Sequence, residues 1–435
     1  MSDKGEAAAA APVSGSRAYL VLGALLAGLL AGAAATGLNR GLRDSALQIA
    51  STTGGIWLDG LRMTVIPLIV ALLVTAIAQG AEAVRAGRVA GRSVLWFVIV
   101  CTSSAIFGAA AMSLLVELFP LPQSAAGALQ AGLATIDPSI TSAPLPEVAD
   151  FFRSVIPPNI FAAAANDQIL PLVVFALLFA MAVTRIAPTR RRSLVAFFEA
   201  IVDAMLVLIG WVLWLAPIGV FSLAFAVGVG AGAAAFAGLV HYIVLISSLG
   251  IVVMLAGYGI AVFAGGIRPV AFAKAMIAPQ SVAISTQSSL ASLPAMLASA
   301  RILGIRQQVS DVTLPLSVAL FRATGPAMNI GVAIYVAHWL GIEIGTTALI
   351  AGTAVAAVAS YSAVSLPGAI SFLSTIGPIG LAMGIPIAPL GLLVAVENIP
   401  DVFRTLGNVT LDVAVTAAVD RSTGDEAGGG KQGEA

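Results

Sequence analysis

Of the 435 residues, 59% are hydrophobic and 10% are charged, where a soluble domain carries roughly a quarter charged residues, so most of the surface cannot face water. Lys plus Arg number 21 and Asp plus Glu number 21, and a chain without net charge offers no electrostatic footprint for nucleic acid. The one cysteine, Cys101, lies in the apolar run WFVIVCTSSAIF and excludes an intrachain disulfide.

Residues 1–16 are small and polar and are expected to form a disordered tail, as are residues 421–435 at the other end. Between them the chain reads as a single membrane domain, residues 17–420, without a soluble appendage. A spanning helix needs about 20 mostly apolar residues. Stretches near 18–38, 55–79, 93–118, 166–186, 195–226, 235–264, 312–340 and 385–420 meet that requirement. The first lacks a strongly basic start and is followed by many more, so it is read as an uncleaved helix rather than a signal peptide. The last several are long, which predicts that they tilt or protrude.

Two further apolar stretches, 270–298 and 346–377, are broken by small polar residues and end around Pro294 and Pro367. Irregular backbone at membrane depth is tolerated only inside protein or along a cavity, so both read as re-entrant helical hairpins, which are pointers to a transport site. Arg85, Arg88 and Arg92, then Arg185 and Arg190 to Arg192, then Arg268, Lys274, Arg301 and Arg306 fall in alternate connections. By the positive-inside rule this puts both termini and the first hairpin in the cytoplasm, and lets the second hairpin enter from outside. Two hairpins dipping from opposite faces are what an inverted repeat produces. The fold class expected is all-α and polytopic: eight transmembrane helices plus two opposed re-entrant hairpins, in a multi-pass protein of the cell (inner) membrane.

The last helix carries Glu397, Asp401, Arg404, Asn408 and Asp412 at spacings of four, three, four and four, with Thr405 beside them. Those spacings place them on one helical face. Ionisable residues inside a span are costly and face a cavity or a partner; a structural ion pair between Asp401 and Arg404 would account for two of them and not for the stripe. The planar fork of Arg404 suits a carboxylate. Asp401 can hold an ammonium group, and Asp412 with Asn408 offers the hard oxygens a small cation needs. The hairpin segments AISTQSSLASLP (283–294) and SYSAVSLPGAI (360–370) add hydroxyls, backbone amides and a small Pro367–Gly368 turn. His241 and His338 lie far along the chain from the serines at 285–292, and no Ser–His, Ser–Lys or metal spacing occurs, so the chain is not read as an enzyme.

GIWLDGLRMTVIPLIVALLVTAIAQG at 55–80, NDQILPLVVFALLFAMAV at 166–183, APIGVF at 216–221, QSSLASLP at 287–294 and DVFRTLGNVTLD at 401–412 together resemble the dicarboxylate/amino acid:cation symporters, the family of glutamate and aspartate transporters. The resemblance runs from Tyr19 to Arg421. It implies a homotrimer in which scaffold helices (about 18–79 and 166–226) support a transport unit (about 93–118 and 235–420) that slides like an elevator. Carried over position by position, Ser289 and the backbone about Gln287 and Ser288 would hold the substrate's main carboxylate. Asp401 would take its amino group, Arg404 its side-chain carboxylate, and Thr405 and Asn408 would line the same site, with Asn408 on the main-chain polar groups. Leu366, Pro367 and Gly368 would form the tip of the lid. Asp412 would ligate a sodium ion, helped by the backbone of Asn408. No cofactor is implied beyond a coupling sodium ion or proton, and no partner beyond lipid, an acidic substrate and further copies of the chain.

The seventh helix departs from the family pattern. Where the family has an Asn-Met-Asp-Gly-Thr signature, this chain has Phe321-Arg322-Ala323-Thr324-Gly325. At least one cation site is therefore expected to be missing, with Arg322 standing in as a fixed charge or Glu397 carrying a proton. The glycine before the final aspartate is Leu411, and Gln287 stands where archaeal members place arginine. Two further readings stay open: a C4-dicarboxylate carrier, against which Asp401 argues because a dianion without an amine has no use for a buried anion, and a degenerate homologue that binds without coupling.

Overall fold

The computed structural model describes residues 15–121, 127, 156, 158–166, 168–231, 233–362 and 368–429. Every regular element among them is helical. The first group of helices is α1 (Gly15–Ala35), α2 (Arg40–Ala86), α3 (Arg88–Leu118), α4 (Ile160–Ala165), α5 (Ile169–Val183), α6 (Pro188–Trp214) and α7 (Ala216–Ala231). Asn39 caps α2 by accepting a hydrogen bond from the Leu42 N–H at 2.9 Å. With 47 residues α2 is about 70 Å long, more than twice the ~30 Å hydrocarbon thickness, so the expected span 55–79 is its middle part.

α1 lies along α7, and α2 packs on α5, α6 and α7. The close approach of α1 to α7 depends on Gly28 and Gly32: a Cβ at either would collide with the carbonyl oxygens of Phe221 and Phe225. Small residues one turn apart are what lets two membrane helices bring their backbones together. Leu30, Ile49, Ile56, Trp211 and Trp214 stand exposed on the outside of this group, an apolar rim that fits lipid rather than water.

The second group is α8 (Ala233–Phe263), α9 (Pro269–Thr286), α10 (Ser289–Ile302), α11 (Gln307–Leu320), α12 (Gly325–Leu340), α13 (Thr346–Ser362), α14 (Gly368–Ala382), α15 (Ala388–Leu393) and α16 (Asn398–Gly429). α16 is its axis and touches α3, α8, α9, α10 and α11. α9 pairs with α10 and α13 with α14, as two helical hairpins. The tip of the first is Gln287–Ser288, and α10 runs through Pro294, where the sequence suggested an end, to Ile302. The second pair packs on α12, α3 and α2.

Three long spans expected from hydropathy are each divided. Residues 195–226 split between α6 and α7 at Leu215. Pro217 has no N–H for the Leu213 carbonyl, and the Val212 carbonyl accepts both the Leu215 N–H at 3.1 Å and the Trp57 indole N–H at 2.9 Å. Residues 312–340 split at Phe321–Thr324, where Thr324 N–H leaves the helix and donates to Asn408 Oδ1 at 2.9 Å; Pro326 begins the next helix. Residues 385–420 split at Val394–Glu397, between α15 and α16. Hydropathy averages over a window, so a break of a few residues is hidden by its apolar flanks even when it holds Arg322 or Glu397. The helical course also begins at Gly15 and continues to Gly429, into stretches that read as tails from composition. Arg306 secures that end, donating to Asp420 Oδ1 at 2.6 Å and to Thr423 Oγ1 at 2.7 Å.

Candidate substrate and ion site

The site forms where three interruptions meet the polar stripe of α16: the α9–α10 tip, the Phe321–Thr324 break and the turn before Asn398. Its ionisable members are withdrawn from solvent: Glu397 is 1%, Asp401 6%, Arg404 7% and Asp412 0% exposed, and Thr405 and Asn408 are buried with them. Glu397 sits in the turn, yet Asp401 N–H donates to its carbonyl at 2.9 Å, so the helical spacing read from the sequence persists across the break.

Arg404 is the hub. Its Nη1 lies 2.9 Å from Asp401 Oδ1 and also pairs with Glu397 Oε1. The second oxygen of Glu397 accepts the Tyr242 hydroxyl at 2.7 Å. One nitrogen of the guanidinium thus serves two carboxylates, while Nε and Nη2 are buried without a hydrogen-bond partner. Buried donors left unmade cost about 1–3 kcal/mol each, more when charged, and two adjacent donors on a guanidinium edge match a carboxylate in bidentate fashion. The ion pairs thus leave the Nε–Nη2 edge of Arg404 without a partner.

The α9–α10 tip is built for backbone donors. Gln287 has φ +50, the one non-glycine residue with positive φ among those described, and its side-chain N–H donates to the Asn398 carbonyl at 3.2 Å, tying the tip to α16. Ser288 caps α10 by accepting from the Ala291 N–H at 3.2 Å, which places a helix N-terminus, a favourable end for an anion, at the tip. Most hairpin hydroxyls serve their own helix: Ser285 and Thr286 donate to the Val282 carbonyl and Ser292 to that of Ser288. At the tip Ser289 differs, buried and accepting from Arg322 Nη1 at 3.3 Å.

Arg322 stands in the break between α11 and α12, half-buried. The carboxylates that act on it electrostatically are Asp412 and Asp401. Its neighbour Phe321 stacks on Phe97 with ring centroids 4.5 Å apart. Asp412, beyond it on α16, is fully buried; Arg322 and Ser317 act on its carboxylate, but neither oxygen makes a hydrogen bond of good geometry. A buried carboxylate oxygen is the kind of hard ligand a small cation takes. The Asn408 side-chain oxygen is already used on Thr324 N–H.

The break and α16 approach so closely that a Cβ on Gly407 would overlap the buried Thr324 hydroxyl. Gly407→Ala is expected to destabilise the protein by about 1–3 kcal/mol through overpacking. Thermal unfolding of the purified variant measures this, and an unshifted midpoint would mean that the break relaxes freely.

The structure thus gathers Gln287, Ser288, Ser289, Arg322, Glu397, Asp401, Arg404, Thr405, Asn408 and Asp412 around α16 and the two neighbouring interruptions. Leu366 and Pro367, expected at the tip of the lid, lie outside the described residues, and Gly368 begins α14. Sequence reasoning missed Tyr242, whose signal was available: a tyrosine in an apolar span needs a partner for its hydroxyl. It also missed Gln280, whose amide donates to Thr410 Oγ1 at 2.9 Å and ties α9 to α16.

The profile of the sodium:dicarboxylate symporter family matches residues 18–422. Among curated proteins, the proton/glutamate-aspartate symporter of Escherichia coli is 26% identical over 91% of this chain and 90% of its own length. The proton/sodium-glutamate symport protein of Bacillus subtilis is 27% identical over 82% of each chain. The C4-dicarboxylate transport protein of Rhizobium etli is 24% identical over 92% of this chain and 88% of its own.

Proposed function

The chain belongs to the sodium:dicarboxylate symporter family, and from that premise we propose that it is a secondary active transporter of acidic amino acids, such as aspartate or glutamate, coupled to a cation. The observation that carries this reading is Arg404: a buried guanidinium with Nε and Nη2 unpartnered, beside a second carboxylate, Asp401, at 2.9 Å. An α-amino dicarboxylate brings complementary groups to both. Its side-chain carboxylate takes the free edge of Arg404, its ammonium takes Asp401, and its main carboxylate takes the Ser289 hydroxyl and the α10 amides. Thr405 and the Asn408 amide complete the lining.

In this reading α1, α2, α5, α6 and α7 form the scaffold, and α3 with α8 to α16 forms the moving unit, with the two hairpins as re-entrant gates of opposite sense. Both termini are cytoplasmic, in the inner membrane, and the working unit is a trimer. Coupling differs from the family pattern. Ala323 and Phe321 offer a methyl group and a ring where hard oxygens are required, so one cation site is absent and Arg322 supplies its charge permanently, since guanidinium does not lose its proton in proteins. What remains for coupling is a sodium ion at Asp412 with the Asn408 backbone, or a proton at Glu397.

The second reading, a C4-dicarboxylate carrier, is favoured by the Rhizobium etli relative, and competition separates the two. Succinate and malate are expected to displace aspartate poorly, and Asp401→Asn is expected to weaken amino acid binding far more than dicarboxylate binding. Calorimetry on the purified protein reads both, and a preference for malate would overturn the amino acid assignment.

A further inference from the structure

Away from the substrate site, a cavity of about 800 Å³ opens between the arms of the first hairpin, the Gly265–Arg268 turn and the end of α16. Its walls are apolar and small. Ala271, Ala275 and Ala278 line it from α9, and Ala295, Ala298 and Ile302 from α10, at the three- and four-residue spacings that put each set on one helical face. Ser299, in the floor, donates its hydroxyl to the Ala275 carbonyl at 2.7 Å, so its one donor is spent between the two arms.

The mouth is cationic. Arg268, Lys274 and Arg421 line it, with Asp420 as the single acidic residue. Asp420 is neutralised by Arg306, whose Nε lies 2.6 Å from its Oδ1. The Arg421 guanidinium is seated over the Gly266 turn, where φ is +70 and a Cβ would come within 3.0 Å of its Nη1; that nitrogen donates to the Phe263 carbonyl at 3.4 Å. Arg268 and Lys274 are exposed and have no ion-pair partner among the described residues. Three cations without a compensating acid thus ring one end of an apolar groove.

We propose that this groove binds an anionic phospholipid, its phosphate held by Arg268, Lys274 and Arg421 and one acyl chain laid along the alanine walls. Basic pockets between membrane helices select anionic headgroups, and long basic side chains reach the headgroup level from just inside the bilayer. A free phosphate would leave the alanine walls without an occupant. A second copy of the chain docking face to face would bring three more cations to the same mouth.

The test uses the full chain in nanodiscs of phosphatidylcholine with a minor share of phosphatidylglycerol, with retained lipid counted by native mass spectrometry. The parent is expected to retain phosphatidylglycerol selectively. Arg268→Ala with Lys274→Ala is expected to retain it about thirty-fold less, from two basic residues at about a factor of five each. Ala298→Trp, which fills the groove and leaves the cations in place, is expected to lose it as well. Arg190→Ala with Arg192→Ala, exposed cations on α6, is expected to retain it.

Equal retention in the Arg268/Lys274 variant and the parent would overturn the proposal, and so would loss in the Arg190/Arg192 variant. Retention by a folded Ala298→Trp protein would overturn the acyl-chain placement, and the surface double variant stands alone should Ala298→Trp unfold. Thermal stabilisation by inorganic phosphate equal to that by phosphatidylglycerol would assign the site to a free anion instead. Concentration-dependent self-association abolished by Ala298→Trp would assign it to a second copy.

Discussion

Arg404→Ser is expected to abolish aspartate and glutamate binding while sparing some affinity for small neutral amino acids. Among the described residues Arg404 is the one cation bonded to Glu397 and Asp401, and in this account it is also the group that receives the substrate's side-chain carboxylate. Losing a buried charge-assisted contact costs on the order of 2–5 kcal/mol, which is roughly thirty-fold to several thousand-fold in affinity. Part of that loss belongs to the two carboxylates left facing each other without a counter-charge. Pairing Arg404→Ser with Glu397→Gln removes one of them, and is expected to restore folding stability without restoring acidic substrate binding. Calorimetry with aspartate and with alanine reads the outcome; unchanged affinity for aspartate and glutamate would make Arg404 structural.

The second large effect is expected at Arg322. This side chain reaches Ser289 at the hairpin tip and acts on Asp412 and Asp401, so its charge is shared between the substrate seat and the carboxylate proposed to hold the coupling ion. Arg322→Met removes the charge and keeps an apolar stem of similar reach. Substrate binding is expected to weaken by on the order of 2 kcal/mol, about thirty-fold. Its sodium dependence is expected to steepen as a mobile cation takes over the charge that arginine supplies. Binding titrated against sodium in parent and variant measures this. A parent that needs three sodium ions, or a variant whose binding and sodium response match the parent, would contradict the substitution of arginine for an ion.

Much of this site was legible before any coordinates because its residues obey helical periodicity. Glu397 through Asp412 share a face by spacing alone, and α16 brings them to one side as that spacing requires. The hairpins were legible as interrupted apolar runs. The breaks at Leu215 and Phe321–Thr324 were not, since Leu215 is as apolar as its flanks, the single charge of Arg322 is averaged away by the apolar residues on either side, and backbone groups beside both breaks meet partners distant in sequence. Trp57 bonds across 155 positions to Val212, and Asn408 across 84 to Thr324. The free edge of Arg404 was hidden for a related reason: periodicity places Asp401, Arg404 and Glu397 near one another but does not say which guanidinium nitrogens remain unpartnered. The use of hairpin hydroxyls on their own carbonyls was equally invisible, because a serine-rich tip reads the same whether its hydroxyls face a ligand or the preceding turn.

The most direct measurement is uptake of radiolabelled aspartate into sealed proteoliposomes under separately imposed sodium and pH gradients. The account predicts accumulation above the external concentration, driven by one of those gradients and abolished when an ionophore collapses it, with malate a poor competitor. Aspartate that binds but never accumulates under either gradient, or malate that accumulates in its place, would contradict it.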